Sequence, residues 1–227
     1  MLWYKAWLET RWRFGFLLLC SIALMALPVA YPAPPARWWI GFEMQISVLG
    51  AFAAVYMAGS GINTQTFYAA TSGFHGSMYF TLSLPVSRLR LLLTRVAVGA
   101  VETAIVISVN VAEAQYFHPP QGTTIQQIAV LGFRSIICSM AVYAVAVLLS
   151  CLLDEMWMFT ASCLVVGFLW PIQFHNNWLG WLNPLRGMNL MAVPITAPIP
   201  WLTIASSVGI AIVLFWASAA LVQRKEF

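Results

Sequence analysis

Charge is what this chain has least of: only 8% of its 227 residues are Asp, Glu, Lys or Arg. About a quarter is usual for a soluble domain, so a surface wetted over most of the chain is excluded. Histidine is scarce as well. His75, His118 and His175 all fall outside the middle of an apolar stretch, where a haem-holding membrane subunit would need them. The four cysteines, Cys20, Cys138, Cys151 and Cys163, are scattered. Without a close pair they argue against a disulfide framework or a thiolate metal site, and for small packing residues. No G-x-x-x-x-G-K-[ST] loop is present, so the usual means of binding ATP is missing, and no H-E-x-x-H occurs.

What the chain has instead is hydrophobic length. Residues of the apolar class make up 61% of it. They gather in six stretches: Phe14–Ala30, Met44–Ser60, Val96–Phe117, Ile125–Ser150, Met158–His175 and Trp201–Val222. A spanning helix needs about 20 mostly apolar residues, and lipid admits only helices or closed barrels. The runs are continuous rather than alternating, which excludes a membrane barrel. The expected fold is an all-α polytopic membrane protein of six spans, with residues 1–227 forming a single transmembrane domain.

In such a protein the net charge of +4 records topology and not an affinity for nucleic acid. Lys5, Arg11 and Arg13 precede the first span, Arg88, Arg90 and Arg95 lie between the second and third, and Arg224 and Lys225 follow the sixth. With six spans all eight share one side, and only Arg37 and Arg186 lie on the other. Both termini are therefore expected in the cytoplasm. A cleaved signal peptide would leave five spans and put one basic group on the wrong side, so the charge bias disfavours it.

Three segments between or before the spans carry further signal. Residues 1–13 read as an interfacial helix, with Trp3, Trp7 and Phe14 on one face and Lys5, Glu9 and Arg13 opposite. In the cytoplasmic loop 61–95, Pro85 suits the first turn of a helix that holds Arg88 and Arg95 on one face and runs into the third span. On the outer side, 176–200 contains Pro184, Pro194, Pro198 and Pro200 with Trp178 and Trp181. That segment is too apolar for a solvated loop and too broken for a span, which predicts a pair of short helices dipping into the outer leaflet. Gly50, Ala54 and Ala58 on the second span have the spacing of close helix packing. Asp154 is placed to cap the fifth span.

Charges inside spans are costly, by about 3 kcal/mol on insertion scales, and are functional candidates by default. Glu102 and Glu113 lie on one face of the third span, within about 20° and about 16 Å apart along its axis. Arg134 enters the fourth span from the outside, nearest in depth to Glu113. Two readings are open. Glu113, Arg134 and Asn110 line a polar pathway, or Glu113 and Arg134 form a structural ion pair, and the second is favoured because buried charges find partners.

The order of these features resembles the membrane subunits of ABC-2 type transporters. The likeness is carried by Lys5-Ala6-Trp7-Leu8-Glu9-Thr10-Arg11, similar to the family's N-terminal elbow helix. Gly76-Ser77-Met78 followed by Leu82-Ser83-Leu84-Pro85-Val86-Ser87-Arg88 is similar to the run after the family's coupling helix, and Asn183-Pro184-Leu185-Arg186 to its proline-bearing segment before the last span. Where members often have acidic residues around the coupling helix, Phe67 to Leu84 has none. The resemblance implies the permease half of an ATP-driven exporter in the cytoplasmic (inner) membrane of a prokaryote, not an enzyme by itself. It implies two copies of a separate ABC-type ATPase carrying ATP and Mg, and a second permease subunit, identical or related. It also implies that Phe74, His75, Met78 and Tyr79 contact the ATPase, and that Trp3, Trp7 and Arg11 anchor the elbow among membrane lipids.

The alternatives are an ATP-independent secondary carrier, or a membrane-embedded enzyme or redox anchor. A carrier predicts inverted repeats and breaks near the bilayer middle, whereas the break here lies to the outside. Ala58-Gly59-Ser60-Gly61 resembles the nucleophile turn of intramembrane serine proteases, but Ala replaces the first glycine and no histidine sits mid-span to activate the serine.

Overall fold

A computed structural model of the chain describes residues 2–30, 35–58, 87–117, 124–153 and 155–224. Among these, all regular structure is helical: α1 (Leu2–Ala30), α2 (Pro35–Ala58), α3 (Arg88–Phe117), α4 (Ile125–Leu152), α5 (Glu155–Ile172), α6 (Trp178–Leu182), α7 (Pro184–Met188) and α8 (Trp201–Arg224). Among the described residues, three stretches are long and apolar enough to cross a membrane, namely Leu89–Glu113, Ile125–Leu152 and Trp201–Arg224. Two shorter apolar helices, Ile46–Ala58 and Trp157–Ile172, pack beside them. Large apolar side chains face outward on several helices, including Trp12, Leu19, Leu164, Phe168, Ile212 and Trp216. That exterior suits hydrocarbon and would be a liability in water.

α4 is the centre of the bundle. It packs against α2, α3, α5, α7 and α8, and its apolar core is 61% buried, against 39% for α3 and 22% for α8. Its start is set by a capping box. The Thr124 hydroxyl accepts from Gln127 N at 3.3 Å, and the Gln127 amide oxygen accepts from Thr124 N at 2.9 Å. Its inward positions are small, with Ser135, Cys138, Ser139, Ala141, Ala144 and Ala146 all buried. Small side chains let backbones approach closely, which is how helices gain contact where lipid removes the hydrophobic drive.

Several boundaries differ from the sequence reading. Residues 2–13 and 14–30 form one continuous helix of 29 residues, so the expected break after residue 13 is absent. No proline or glycine pair interrupts that junction, and nothing in the sequence stops the helix. The Trp7 and Phe14 rings meet edge to face at 5.6 Å, as their spacing predicts. By contrast, α3 begins at Arg88, so the basic residues and the apolar stretch share one helix, as the sequence reading expects. α5 ends at Ile172, three residues short of the predicted end, with Pro171 in its last turn, where the ring removes one backbone donor. The Asp154 cap and Pro85 lie outside the described residues.

The predicted small stripe on α2 is used. Ala54 is fully buried, and a Cβ on Gly50 would come within 2.6 Å of the Met188 methyl, which enters from α7. A second close approach joins α2, α3 and α4. The Tyr143 hydroxyl of α4 donates to Val96 O at 3.1 Å. A Cβ on Gly99 would collide with that hydroxyl and stand 3.1 Å from Met57 O.

Gly99→Ala should therefore destabilise the bundle by about 1–3 kcal/mol, the usual cost of overpacking a fitted site. Gly209→Ala, with open space around its Cβ, should stay within about 0.5 kcal/mol of wild type or gain slightly. Paired thermal unfolding curves of the purified variants would check both.

Candidate functional site

Polar side chains in this bundle converge at three places. The first is a seam between α1 and α3. Thr10 Oγ1 donates to Glu102 Oε1 at 2.6 Å. Eleven residues further along both helices, the Ser21 hydroxyl lies 2.7 Å from Asn110 Oδ1 and 3.1 Å from Glu113 Oε2. Asn110 is oriented for this by donating its own amide to Val106 O at 2.8 Å. The shared spacing, 10 to 21 against 102 to 113, means that α1 and α3 run parallel in one register over about 16 Å. Glu102 is 2% exposed, and its Oε2 has no hydrogen-bond partner among the described residues.

The second place is a clamp beyond α5. Arg186, on α7 and 4% exposed, donates through Nη1 to Gln173 O at 3.1 Å and His175 O at 2.7 Å, and through Nη2 to Asn176 Oδ1 at 2.7 Å. Its guanidinium stacks 4.1 Å from the centre of the Trp181 ring. A cation here meets the carbonyl-rich end of α5, where the helix dipole is negative. Asn183 adds two bonds. It caps α7 by accepting from Leu185 N at 3.0 Å, and donates to Leu169 O at 2.7 Å. Asn177 caps α6 by accepting from Gly180 N at 2.9 Å. Gly180 admits no side chain, since a Cβ would collide with the His175 carbonyl that Arg186 holds. Thr203 Oγ1 and Ser206 Oγ of α8 donate to Trp181 O and Leu182 O. The result is a rigid hairpin whose segment Asn183–Leu190 is wholly buried.

The third place is where that hairpin crosses α4. Arg134, 2% exposed, donates from Nη2 to Val193 O at 2.6 Å. Ser207 Oγ of α8 lies 3.6 Å from Cys138 Sγ.

The predicted site residues thus divide. Glu102, Asn110 and Glu113 share one seam, but Arg134 does not join them. Glu113 is held by Ser21 and Arg134 by Val193, and no ion pair links the two. Helix geometry explains this: the acids of α3 turn toward α1, on a different side from the hairpin that α4 meets. Trp3 and Trp7 are exposed at 59% and 39%, and the exposed Arg11 lies 5.5 Å from the Trp12 ring. Phe74, His75, Met78 and Tyr79 lie outside the described residues, as does His118. Sequence reasoning missed Ser21, Ser135, Gln173 and Asn189, took Thr10 only as part of the elbow motif, and took Arg186 as a topology marker and part of the proline-bearing motif. The equal eleven-residue spacing of Thr10/Ser21 and Glu102/Glu113 was a readable signal for the seam.

No protein-family model matches the chain, and neither a curated protein nor a solved structure matches it.

Two measurements test the geometry. Arg186→Ala strands three acceptors and should cost roughly 3 kcal/mol or more, and Arg186→Lys should recover little, because an ammonium cannot reproduce the planar fork or the ring stacking. Chemical or thermal unfolding of both variants would show it. A double-mutant cycle on Thr10→Val and Glu102→Leu should give a coupling of about 1 kcal/mol across the seam, in line with hydrogen bonds between membrane helices.

Proposed function

We propose that the chain is the membrane-spanning permease subunit of an ATP-driven ABC exporter of the ABC-2 type, crossing the inner membrane six times with both termini in the cytoplasm. The observation that supports this best is the hairpin α6–α7, whose α7 arm is wholly buried. It stands between the last two long helices, where the family resemblance calls for broken helices at the outer side. The long helices α1 to α5 and α8 each overlap one of the six apolar stretches, and the basic residues cluster at alternate ends of them. Lipid permits such a broken segment only where it is buried in protein, as Asn183–Leu190 is.

In this reading a second permease subunit, identical or related, completes the pathway, and two copies of an ABC-type ATPase bind from the cytoplasm with ATP and Mg. The loop 61–95 carries the coupling helix, with Phe74, His75, Met78 and Tyr79 as the contact. Movement reaches the bundle through α3, because the loop's basic end is continuous with that helix. The α1–α3 seam makes the N-terminal segment move with it.

One observation favours a second reading, an ATP-independent secondary carrier. Glu102 is a carboxyl buried at mid-helix with one oxygen unsatisfied among the described residues, the type of group that holds a proton or cation in carriers.

A gentle detergent pull-down of tagged protein from native membranes separates them. The expected result is an ABC-type ATPase retained by wild type and lost in the Met78→Asp, Tyr79→Asp double variant. Recovery without any ATPase would favour the carrier.

A further inference from the structure

The Ser21 hydroxyl has one proton and two side-chain oxygens to serve. Its Oγ lies 2.7 Å from Asn110 Oδ1 and 3.1 Å from Glu113 Oε2. Ser21 is 0% exposed and Asn110 1%, so water has little access to the hydroxyl or the amide.

The orientation of Asn110 decides where that proton goes. Its Nδ2 donates to Val106 O at 2.8 Å, and turning the amide over would set two carbonyl oxygens against each other. Oδ1 is therefore the atom that faces Ser21. An amide oxygen has no hydrogen to give, so Ser21 must donate across the shorter contact. The 3.1 Å contact is then a hydrogen bond only if Glu113 supplies the proton. A three-centre bond would leave a carboxylate with half a hydrogen inside an apolar bundle, where an ionised group is costly.

We propose that Glu113 is a proton-binding site: it stands in the seam as the neutral acid, its own O–H donating to Ser21 Oγ. The groups then form a directed chain, from Glu113 to Ser21 to Asn110 to Val106 O, with each hydrogen used once. Loss of the proton breaks this chain. Ser21 can turn to the carboxylate only by leaving the buried Asn110 Oδ1 without its donor, and an acceptor orphaned in that way is expensive. The seam is a latch between α1 and α3 that one proton closes. Glu113 ends the apolar stretch Leu89–Glu113 and is only partly buried, which leaves the proton a way out at that end of α3.

Other titratable residues toward that end are Cys20 on α1, Tyr116 and His118 beyond Glu113, Arg134 on α4, which turns to Val193 O, and Arg37 and Glu43 on α2. The side chains of His118, Arg37 and Glu43 lie outside the described residues. Glu102 stands about 16 Å away along α3. α8 contributes none, because its Arg224 is at the opposite end, where Val222 packs with Leu91 and Leu92. The sharing of one Ser21 proton between two acceptors involves none of them, and it rests on neither functional reading above.

The test is infrared spectroscopy of the purified full chain in a carbonyl-free detergent, wild type against Glu113→Gln. Glutamine offers Ser21 Oγ an N–H where the acid offers its O–H, so the variant keeps the chain of bonds. At neutral pH the wild type should show a protonated-carboxyl C=O band, shifted in D2O, that the variant lacks. The native seam holds the neutral acid, so its contribution to stability is whole in acid and lost as pH rises. As the band disappears, the wild-type Tm should fall by about 2–4 °C relative to Glu113→Gln, the size expected for one lost hydrogen bond in a chain of this length. Identical spectra at neutral pH would overturn the proposal, and so would parallel Tm curves across the range in which the band disappears. A sodium-dependent Tm with no such band would make the bound cation a metal ion and overturn it as well.

Discussion

A polar group inside an apolar bundle has no water to fall back on, and this constraint organises most of what the structure shows. Desolvating a donor or acceptor without a partner costs several kcal/mol. Polar side chains therefore decide which elements touch. Thr10 and Ser21 select the face that α1 presents to α3, and Arg186 selects where the chain goes after α5. Tyr143 reaches across to Val96 O and brings α4 against α3 at Gly99. The hydrophobic residues between these points supply contact area, and would accept many neighbouring registers.

The Arg186 clamp shows how one such group supports the rest. Pro171 and the end of α5 leave carbonyls that no helical N–H satisfies. The guanidinium gathers two of them together with the Asn176 side chain. The chain is thereby turned back toward the bundle at Asn183, and Leu185 and Met188 enter the core fully buried. Gly50 on α2 and Gly187 on α7 leave the space that this insertion needs. Polar capping, proline placement and small-residue packing are thus three parts of one device.

The same constraint gives the two polar junctions different characters. The seam of α1 and α3 pairs hydroxyls with carboxyl groups, so donors and acceptors are nearly matched, with one Glu102 oxygen left over. At the α4 junction Arg134 donates to Val193 O, and Arg134 Nε, Ser135 Oγ and Asn189 Nδ2 are buried without a partner among the described residues.

Much was legible in the sequence. Continuous apolar runs and scarce charge determined an all-helical protein with helices long enough for a membrane, because lipid leaves the backbone no other way to satisfy itself. Proline clustering and tryptophans marked 176–200 as a broken segment, and Gly50, Ala54 and Ala58 marked a packing face. Helix ends were less legible: α1 runs through residue 13 because no stop signal interrupts it, and α5 halts early at Pro171. Partners were the part that only tertiary structure decided. Glu113 and Arg134 have suitable charge and depth for each other, yet one turns to Ser21 and the other to Val193. A sequence records which side chains need a partner, but the rotation of each helix about its axis, set by packing across the whole bundle, assigns the partner they get.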